Sequence, residues 1–288
     1  MNQAEQIQKA VLRSLHARDL YTERQVNSML KSLRAAEIHI KSQLVEIGEK
    51  KLLKKGLEIR QGQLHSIQKG IDEIIKDLKR DQTLIMKTAV RDSFQNGIAG
   101  SIGEFSELKF PHYENLSHED RIKLAGQVMS LIDRSALDFL VNYNLQLLGN
   151  VTRELVDNIK QQISVGLVTG DSIAKIGEKI GSVITDPAEF RLAGKTVFKT
   201  AQQRVEVITR TETLRAYGHG RNKFYNQIGA RRIVWATSGD ERTCPECGPL
   251  DGKEFLAEEM PSIPLHPACR CSFFAARARV CRSGVPVH

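Results

Sequence analysis

The residues best suited to chemistry in this sequence are thiols grouped near its C-terminal end. Cys244 and Cys247 are separated by two residues, which lets both sulfurs reach one tetrahedral metal ion, and Gly248 tolerates the tight turn that follows. His266 and Cys269 repeat this spacing after an interval of 18 residues. The pattern predicts a zinc site built from two knuckles. All five cysteines of the 288-residue chain lie in its last 45 residues: Cys244, Cys247, Cys269, Cys271 and Cys281.

The zinc prediction offers more ligands than a tetrahedral ion needs. We expect one structural Zn²⁺ bound by Cys244, Cys247, His266 and Cys269. Cys271 is the substitute for the fourth ligand, and Cys281 then remains a free thiol. The number of ligands favours a closed structural site over its two alternatives. One alternative is a disulfide pair, which a reducing cytosol disfavours. The other is a catalytic zinc with an open position and a nearby acid, for which the closest residues in sequence are Asp240, Glu241 and Glu246.

Positive charge is concentrated in the same third of the chain. Lys and Arg number 42 against 34 Asp and Glu, most of this excess lies after Leu192, and no acidic residue follows Met260. A basic segment of this kind indicates a polyanionic partner, first of all double-stranded DNA bound without sequence preference. The alternative is a solvated tail that binds nothing. The candidate phosphate contacts are Arg270, Arg277, Arg279 and Arg282.

Composition argues against a membrane protein and against wholesale disorder. Hydrophobic residues make up 41% and charged residues 26% of the chain, which is ordinary for a soluble protein. The longest apolar runs have four residues, far short of a membrane span. The first residues show no basic patch followed by an apolar stretch, so we expect no secretion signal, synthesis in the cytoplasm and no membrane partner.

The N-terminal third is predicted to form two long helices. It contains no proline before Pro111, and apolar residues follow a four-three spacing from Val26 to Ile47 and again from Leu57 to Ile85. The two runs are out of phase by one position, and the slip falls in residues 50–56. We therefore expect a helical hairpin or coiled coil, forming an extended arm that needs a partner. The alternative is an ordinary helical bundle that contributes to a single core.

Further helices and one short strand are predicted after the arm. Gly, Ser, Phe and Pro111 indicate a linker at 95–115, and Ser117 with Asp120 indicates a helix start. A helix is expected from Lys195 to about Gly229, its Arg and Glu side chains forming a structural ion-pair network. Residues 231–236 have strand character. The predicted fold is mainly α, with an elongated helical arm (1–94), a linker (95–115), a central helical domain (116–230) and a small zinc-stapled α+β unit with a basic tail (231–288).

Several motifs of the C-terminal half follow one another in a distinctive order and spacing. They are Arg210-Thr211-Glu212-Thr213 within a helix, Trp235, Asp240-Glu241-Arg242-Thr243-Cys244-Pro245-Glu246-Cys247, Leu250-Asp251-Gly252 and His266-Pro267-Ala268-Cys269-Arg270-Cys271. Taken together they resemble the phage Mu protein F type of minor head protein, also called phage head morphogenesis proteins. The resemblance covers about Val165 to Phe274 and does not extend to the arm.

The resemblance implies a capsid protein present in few copies and without enzymatic activity. Such a protein would bind the portal protein and other capsid proteins, and would assist head assembly, DNA packaging or ejection. It would be located in the virion, in the capsid interior or at the portal vertex, after assembly in the host cytoplasm. Two other classes remain open from the residues alone: a zinc-dependent nuclease or hydrolase, and a zinc-ribbon DNA-binding protein. The chain ends 17 residues after Cys271, so we expect no further effector domain there.

Overall fold

The computed structural model of the protein describes residues 3–52, 61–131, 134–169, 171–185, 190–192, 195–197, 200–237 and 243–276. It is mainly helical with a small C-terminal sheet, which confirms the predicted fold class. The elements are helices α1 (Gln3–Leu52), α2 (Gln61–Glu107), α3 (His118–Ser130), α4 (Arg134–Val168), α5 (Ile173–Thr185) and α6 (Ala201–Gln227), and strands β1 (Phe190–Leu192), β2 (Lys195–Val197), β3 (Arg232–Ala236), β4 (Glu254–Leu256) and β5 (Ser272–Ala275).

The chain divides into two compact units, to which helices α1, α2, α4 and α6 each contribute residues. The first unit contains Met1–Arg24, Lys87–Asn142 and Thr209–His288, and the second contains Gln25–Met86 and Tyr143–Ile208. The candidate metal ligands all belong to the first unit. None of the helices within the described residues is both long enough and apolar enough to cross a membrane.

Helices α1 and α2 run antiparallel in the first unit. There Arg13 forms an ion pair with Glu107, and Tyr21 donates a hydrogen bond to Asp92 over 2.9 Å. Contacting positions thus fall along α2 as they rise along α1, as in the predicted hairpin. The predicted break coincides with the end of α1 at Leu52, beyond which residues 53–60 lie outside the described part of the chain.

The first turns of α1 pack against the C-terminal sheet, which corrects the prediction of an arm that lacks a core. Val11 and Leu15 are buried together with Ala236, and Phe274 packs against them. The apolar stripe of α1 therefore begins well before Val26, the first residue of the predicted pattern. Arg18 and Thr22 interrupt it with polar side chains that are nevertheless buried, and this interruption hid the stripe from sequence analysis.

The predicted linker at 95–115 is wrong over its first half, because α2 continues to Glu107. Small residues here allow close helix packing. A Cβ atom at Gly97 would clash with the backbone carbonyl of Tyr217, and one at Gly220 would clash with the carbonyl of Phe94. The glycines that indicated a flexible connection instead let α2 and α6 approach backbone to backbone. The non-helical connection between α2 and α3 runs from Leu108 to Ser117.

After the linker, local sequence signals predicted the start of α3 better than the start of α6. Ser117 caps α3, as predicted, and it does so in a full capping box with Asp120. The helix expected from Lys195 starts later, at Ala201, because residues 195–197 form β2. Phe190 pairs with Val197 in this antiparallel ladder, and the β-branched pair Thr196-Val197 suits a strand better than a helix.

The C-terminal sheet has the order β4-β3-β5, with both outer strands antiparallel to β3. Its central strand, Arg232–Ala236, covers all but the first of the predicted strand residues 231–236. It carries Trp235, which is fully buried opposite Phe273. Gly252 turns the chain into β4 with a positive φ of 73°, which glycine adopts without strain. The chain between β3 and β4 contains the first knuckle, and the chain between β4 and β5 contains the second.

Candidate metal centre

The first knuckle is a tight turn whose backbone N–H groups point back at Cys244. The amide of Gly248 donates to the Cys244 carbonyl over 2.9 Å. The amide of Cys247 donates to the Cys244 sulfur over 3.2 Å. Such N–H···S contacts neutralise part of a thiolate's charge and fix the direction of the sulfur. Cys247 is 1% exposed, so its sulfur faces the protein interior.

The second knuckle presents the imidazole of His266 in a form ready to bind metal. Its Nδ1 lies 3.0 Å from the carbonyl oxygen of Pro267. Because a carbonyl oxygen can only accept, this contact places a proton on Nδ1, and in the neutral ring it leaves the lone pair on Nε2. That Nε2 atom lies 3.0 Å from the sulfur of Cys244 and 3.4 Å from the sulfur of Cys247. The two knuckles therefore converge on one point.

The spacing of these atoms fits a tetrahedral zinc ion. Zinc bonds of about 2.3 Å to sulfur and about 2.05 Å to nitrogen place two sulfurs about 3.8 Å apart, and a sulfur and a nitrogen about 3.6 Å apart. The sulfurs of Cys247 and Cys269 are separated by 3.7 Å. The sulfur–nitrogen separations at His266 are 3.0 Å and 3.4 Å, both shorter than this ideal. The donor set is soft sulfur with one imidazole, the chemistry of a structural zinc site.

All five predicted ligands are brought together, in two overlapping groups. Cys244, Cys247 and His266 form one group, and Cys247, Cys269 and Cys271 form the other; within each group the ligand atoms lie within 4.8 Å of one another. Cys247 belongs to both and is the centre of the cluster. This cluster could hold a metal ion. The choice of four ligands stays a prediction, because Cys271 meets the same 4.8 Å limit with Cys247 and Cys269 as Cys244 and His266 meet with Cys247.

The thiols also differ in acidity. A hydrogen bond from the Cys271 thiol, helped by backbone amides, lowers the pKa of Cys269 to about 5. Burial raises the pKa of Cys247 to about 12. Donation to Cys269 raises the pKa of Cys271 in turn. Cys269 is thus the most acidic of these three thiols, and all of them lose their protons as a metal binds.

Helices α1 and α6 hold this cluster from outside. Arg18 donates to the backbone carbonyls of Arg270 and Cys271, and Thr211 accepts a hydrogen bond from the amide of Ala268. Sequence analysis included Thr211 in a motif without assigning it a role, and it did not identify Arg18. The available signal was a pair of polar residues, Arg18 and Thr22, at stripe positions of α1 that are otherwise apolar.

The predicted ion-pair network around α6 is confirmed. Arg204 pairs with Glu154 in the second unit, and Arg210 pairs with Glu23 over 2.6 Å in the first. Arg215 pairs over 3.0 Å with Glu212, whose pKa is raised by burial although the guanidinium opposes this. The first two pairs join α6 to α4 and to α1, which is the structural role expected for these charges, and the third lies within α6.

The candidate phosphate contacts are only partly placed. Arg270 has a side chain that is 24% exposed, and Asp19 lies 4.0 Å from its guanidinium. Arg277, Arg279 and Arg282 lie outside the described residues, as does Cys281. The same holds for Asp240 and Glu241, two of the acids considered for a catalytic zinc, and Glu246 is exposed on the first knuckle. The DNA-binding role of the arginines stays a prediction.

The comparison with protein families bears directly on this region. A family model described as Phage Mu protein F like protein matches residues 157–274. Over these residues the chain is similar to that family. The predicted resemblance is confirmed, and its window starts slightly earlier than the expected Val165. No significant match to a curated protein or to a solved structure was found.

The Phage Mu protein F-like region includes α5, α6, the C-terminal sheet and the complete Cys/His cluster. The family is a structural, head morphogenesis family. The match, which covers less than half of the chain, supports a phage head morphogenesis protein that is part of the virion and interacts with other capsid components. The α1–α2 hairpin lies before the matched residues.

Proposed function

We propose that this protein is a minor phage head protein, present in few copies and bound to the portal, which assists head assembly, DNA packaging or ejection without catalysing a reaction. The observation that carries the proposal is the family match over residues 157–274, which contains the metal cluster and the helix that supports it. The α1–α2 hairpin and helix α6 supply helical surface for contacts with portal and capsid proteins.

The metal in this proposal is a single structural Zn²⁺. Three sulfurs and one imidazole nitrogen satisfy a tetrahedral ion completely, which leaves no position for a reactive water. We assign Cys244, Cys247, His266 and Cys269 as ligands, with Cys271 beside them as the substitute. The ion joins two loops around a three-stranded sheet that is too small to stabilise itself. Its role is to hold the fold of the region that the family shares.

The test of the head role is the protein's presence in particles. Phage and DNA-free precursor heads from a producing culture are separated on a density gradient, and this chain is quantified by peptide mass spectrometry. The major capsid protein calibrates copy number, and an abundant host enzyme controls for contamination. We expect a few copies per particle, already present in precursor heads. Absence from both kinds of particle would contradict the proposal and favour a zinc-dependent hydrolase.

A second part of the proposal is non-specific DNA binding by Arg270 and the basic tail. Each phosphate neutralised contributes about −0.9 to the slope of log affinity against log salt concentration, so four arginine contacts give a slope of up to about −3.6. The slope is measured with a fluorescent duplex of arbitrary sequence. Replacing Arg277, Arg279 and Arg282 with Gln should make it shallower by about 2.7. A wild-type chain that shows no binding, or binding insensitive to salt, would exclude this role.

A further inference from the structure

The second ligand loop lacks support from the sheet at the positions where it carries metal ligands. Strand β5 begins at Ser272, so the backbone of residues 268–271 lies outside the ladder. Hydrogen bonds with side chains of α1 and α6 hold this backbone instead. The Ala268 amide donates to the Thr211 hydroxyl over 2.9 Å. The Arg18 guanidinium donates to the carbonyl of Arg270 over 2.7 Å and to that of Cys271 over 3.2 Å.

Arg18 is an unusual residue to find in this position. It lies 253 positions before Cys271 in sequence, and its side chain is only 3% exposed. Burial of a guanidinium is costly unless its N–H groups are bonded and its charge is balanced. The carbonyls bond it, Asp19 balances its charge over 2.6 Å, and the ring of Tyr217 lies 5.7 Å away. Its donors are therefore divided between Asp19 and the two carbonyls of the ligand loop.

Thr211 acts at the most constrained residue of the same loop. Ala268 has a positive φ of 56°, a conformation that costs a non-glycine residue on the order of 1 kcal/mol or more. This turn lies between His266 and Cys269, so its conformation decides where their donor atoms lie. The hydroxyl of Thr211 holds the amide of Ala268 in that turn from the buried face of α6.

We infer that Arg18 and Thr211 are positioning residues for the metal centre, which fix the loop from His266 to Cys271 so that its ligands retain the ion. The inference rests on the proposed zinc site. Outer partners of metal ligands commonly change affinity by about 10–100-fold. Linkage also acts in the opposite direction: a bound ion fixes the carbonyls that accept from Arg18 and so holds α1 in place against the C-terminal loops.

The decisive experiment measures zinc release from the full-length, zinc-loaded chain into excess colorimetric chelator. Thr211→Val keeps the shape of the side chain and removes the hydroxyl, and we expect zinc release to accelerate about 10–100-fold. Thr211→Ser keeps the hydroxyl and should restore a rate near that of the wild type. Arg18→Met should also accelerate release. Ser14→Ala is the matched control, because Ser14 lies one turn before Arg18 but bonds Tyr217 and not the loop.

A Co²⁺-substituted sample gives a second readout that general stability would not change. Its d–d absorption reports ligand geometry, and we expect a shifted band in Thr211→Val and a normal one in Thr211→Ser. Wild-type rates in both Thr211→Val and Arg18→Met would overturn the inference, as would equal acceleration by Ser14→Ala. If Arg18→Met does not fold, the Thr211 pair decides alone. A wild-type chain that binds neither zinc nor cobalt would instead refute the proposed metal site.

Discussion

Arg221 is completely buried, and every side of its guanidinium is occupied. Two parallel hydrogen bonds of 2.8 Å join it to both oxygens of Glu104. A third, also of 2.8 Å, reaches the carbonyl of Phe273 in β5, and a fourth reaches the hydroxyl of Tyr225. One residue of α6 thereby connects α2 and the sheet. The pair is suited to specifying one arrangement of these elements, because neither charge can be left alone in the interior.

Removal of one charge from this pair should be strongly destabilising. We expect Glu104→Gln to lower the free energy of unfolding by about 3–5 kcal/mol, since it leaves a buried arginine without its counter-ion. Glu107→Gln is the control: it removes the surface pair with Arg13 one turn later and should cost at most about 1 kcal/mol. Urea denaturation of both variants makes the comparison. Equal losses would mean that the buried pair has no special role.

At the scale of elements, the close crossing of α2 and α6 depends on the absence of a Cβ atom at two glycines. Gly97 and Gly220 lie where each helix backbone meets the other. Gly97→Ala should lower the free energy of unfolding by about 1–3 kcal/mol, because the added methyl group forces the helices apart. Gly149→Ala provides the control: its added Cβ would meet nothing within 4 Å, so α4 should gain about 0.5–1 kcal/mol. A stabilising Gly97→Ala would contradict the close crossing.

These elements also show why sequence analysis succeeded in some places and failed in others. Cysteine spacing and the Ser117 capping box are local signals, and both led to the observed structure. The glycines of α2 have the same composition as a linker, and only the facing helix shows why they are there. Arg18 resembles any charged residue of a surface helix until its partners, more than 250 positions later, are known. Tertiary contacts of this kind leave no local pattern.

At the scale of the whole molecule, the Cys/His cluster connects distant segments of the C-terminal part of the chain. Its ligands come from both loops around the sheet, and its outer contacts come from α1 and α6. Loss of the ion should therefore loosen more than the knuckles. When the ion is lost, we expect the backbone amides of residues 10–24 to exchange their hydrogens faster, because Arg18 then donates to a loop that is no longer fixed. Hydrogen–deuterium exchange of the zinc-loaded and zinc-free chains measures this.

The measurement that tests this account most directly is native mass spectrometry of the full-length chain, purified with zinc and exhaustively dialysed. We predict one zinc ion per chain in the wild type and none in Cys247→Ser, since Cys247 belongs to both ligand groups. Cys281→Ser, which changes a thiol outside the predicted site, should keep its ion. A folded wild-type chain that retains no metal under these conditions would contradict the account.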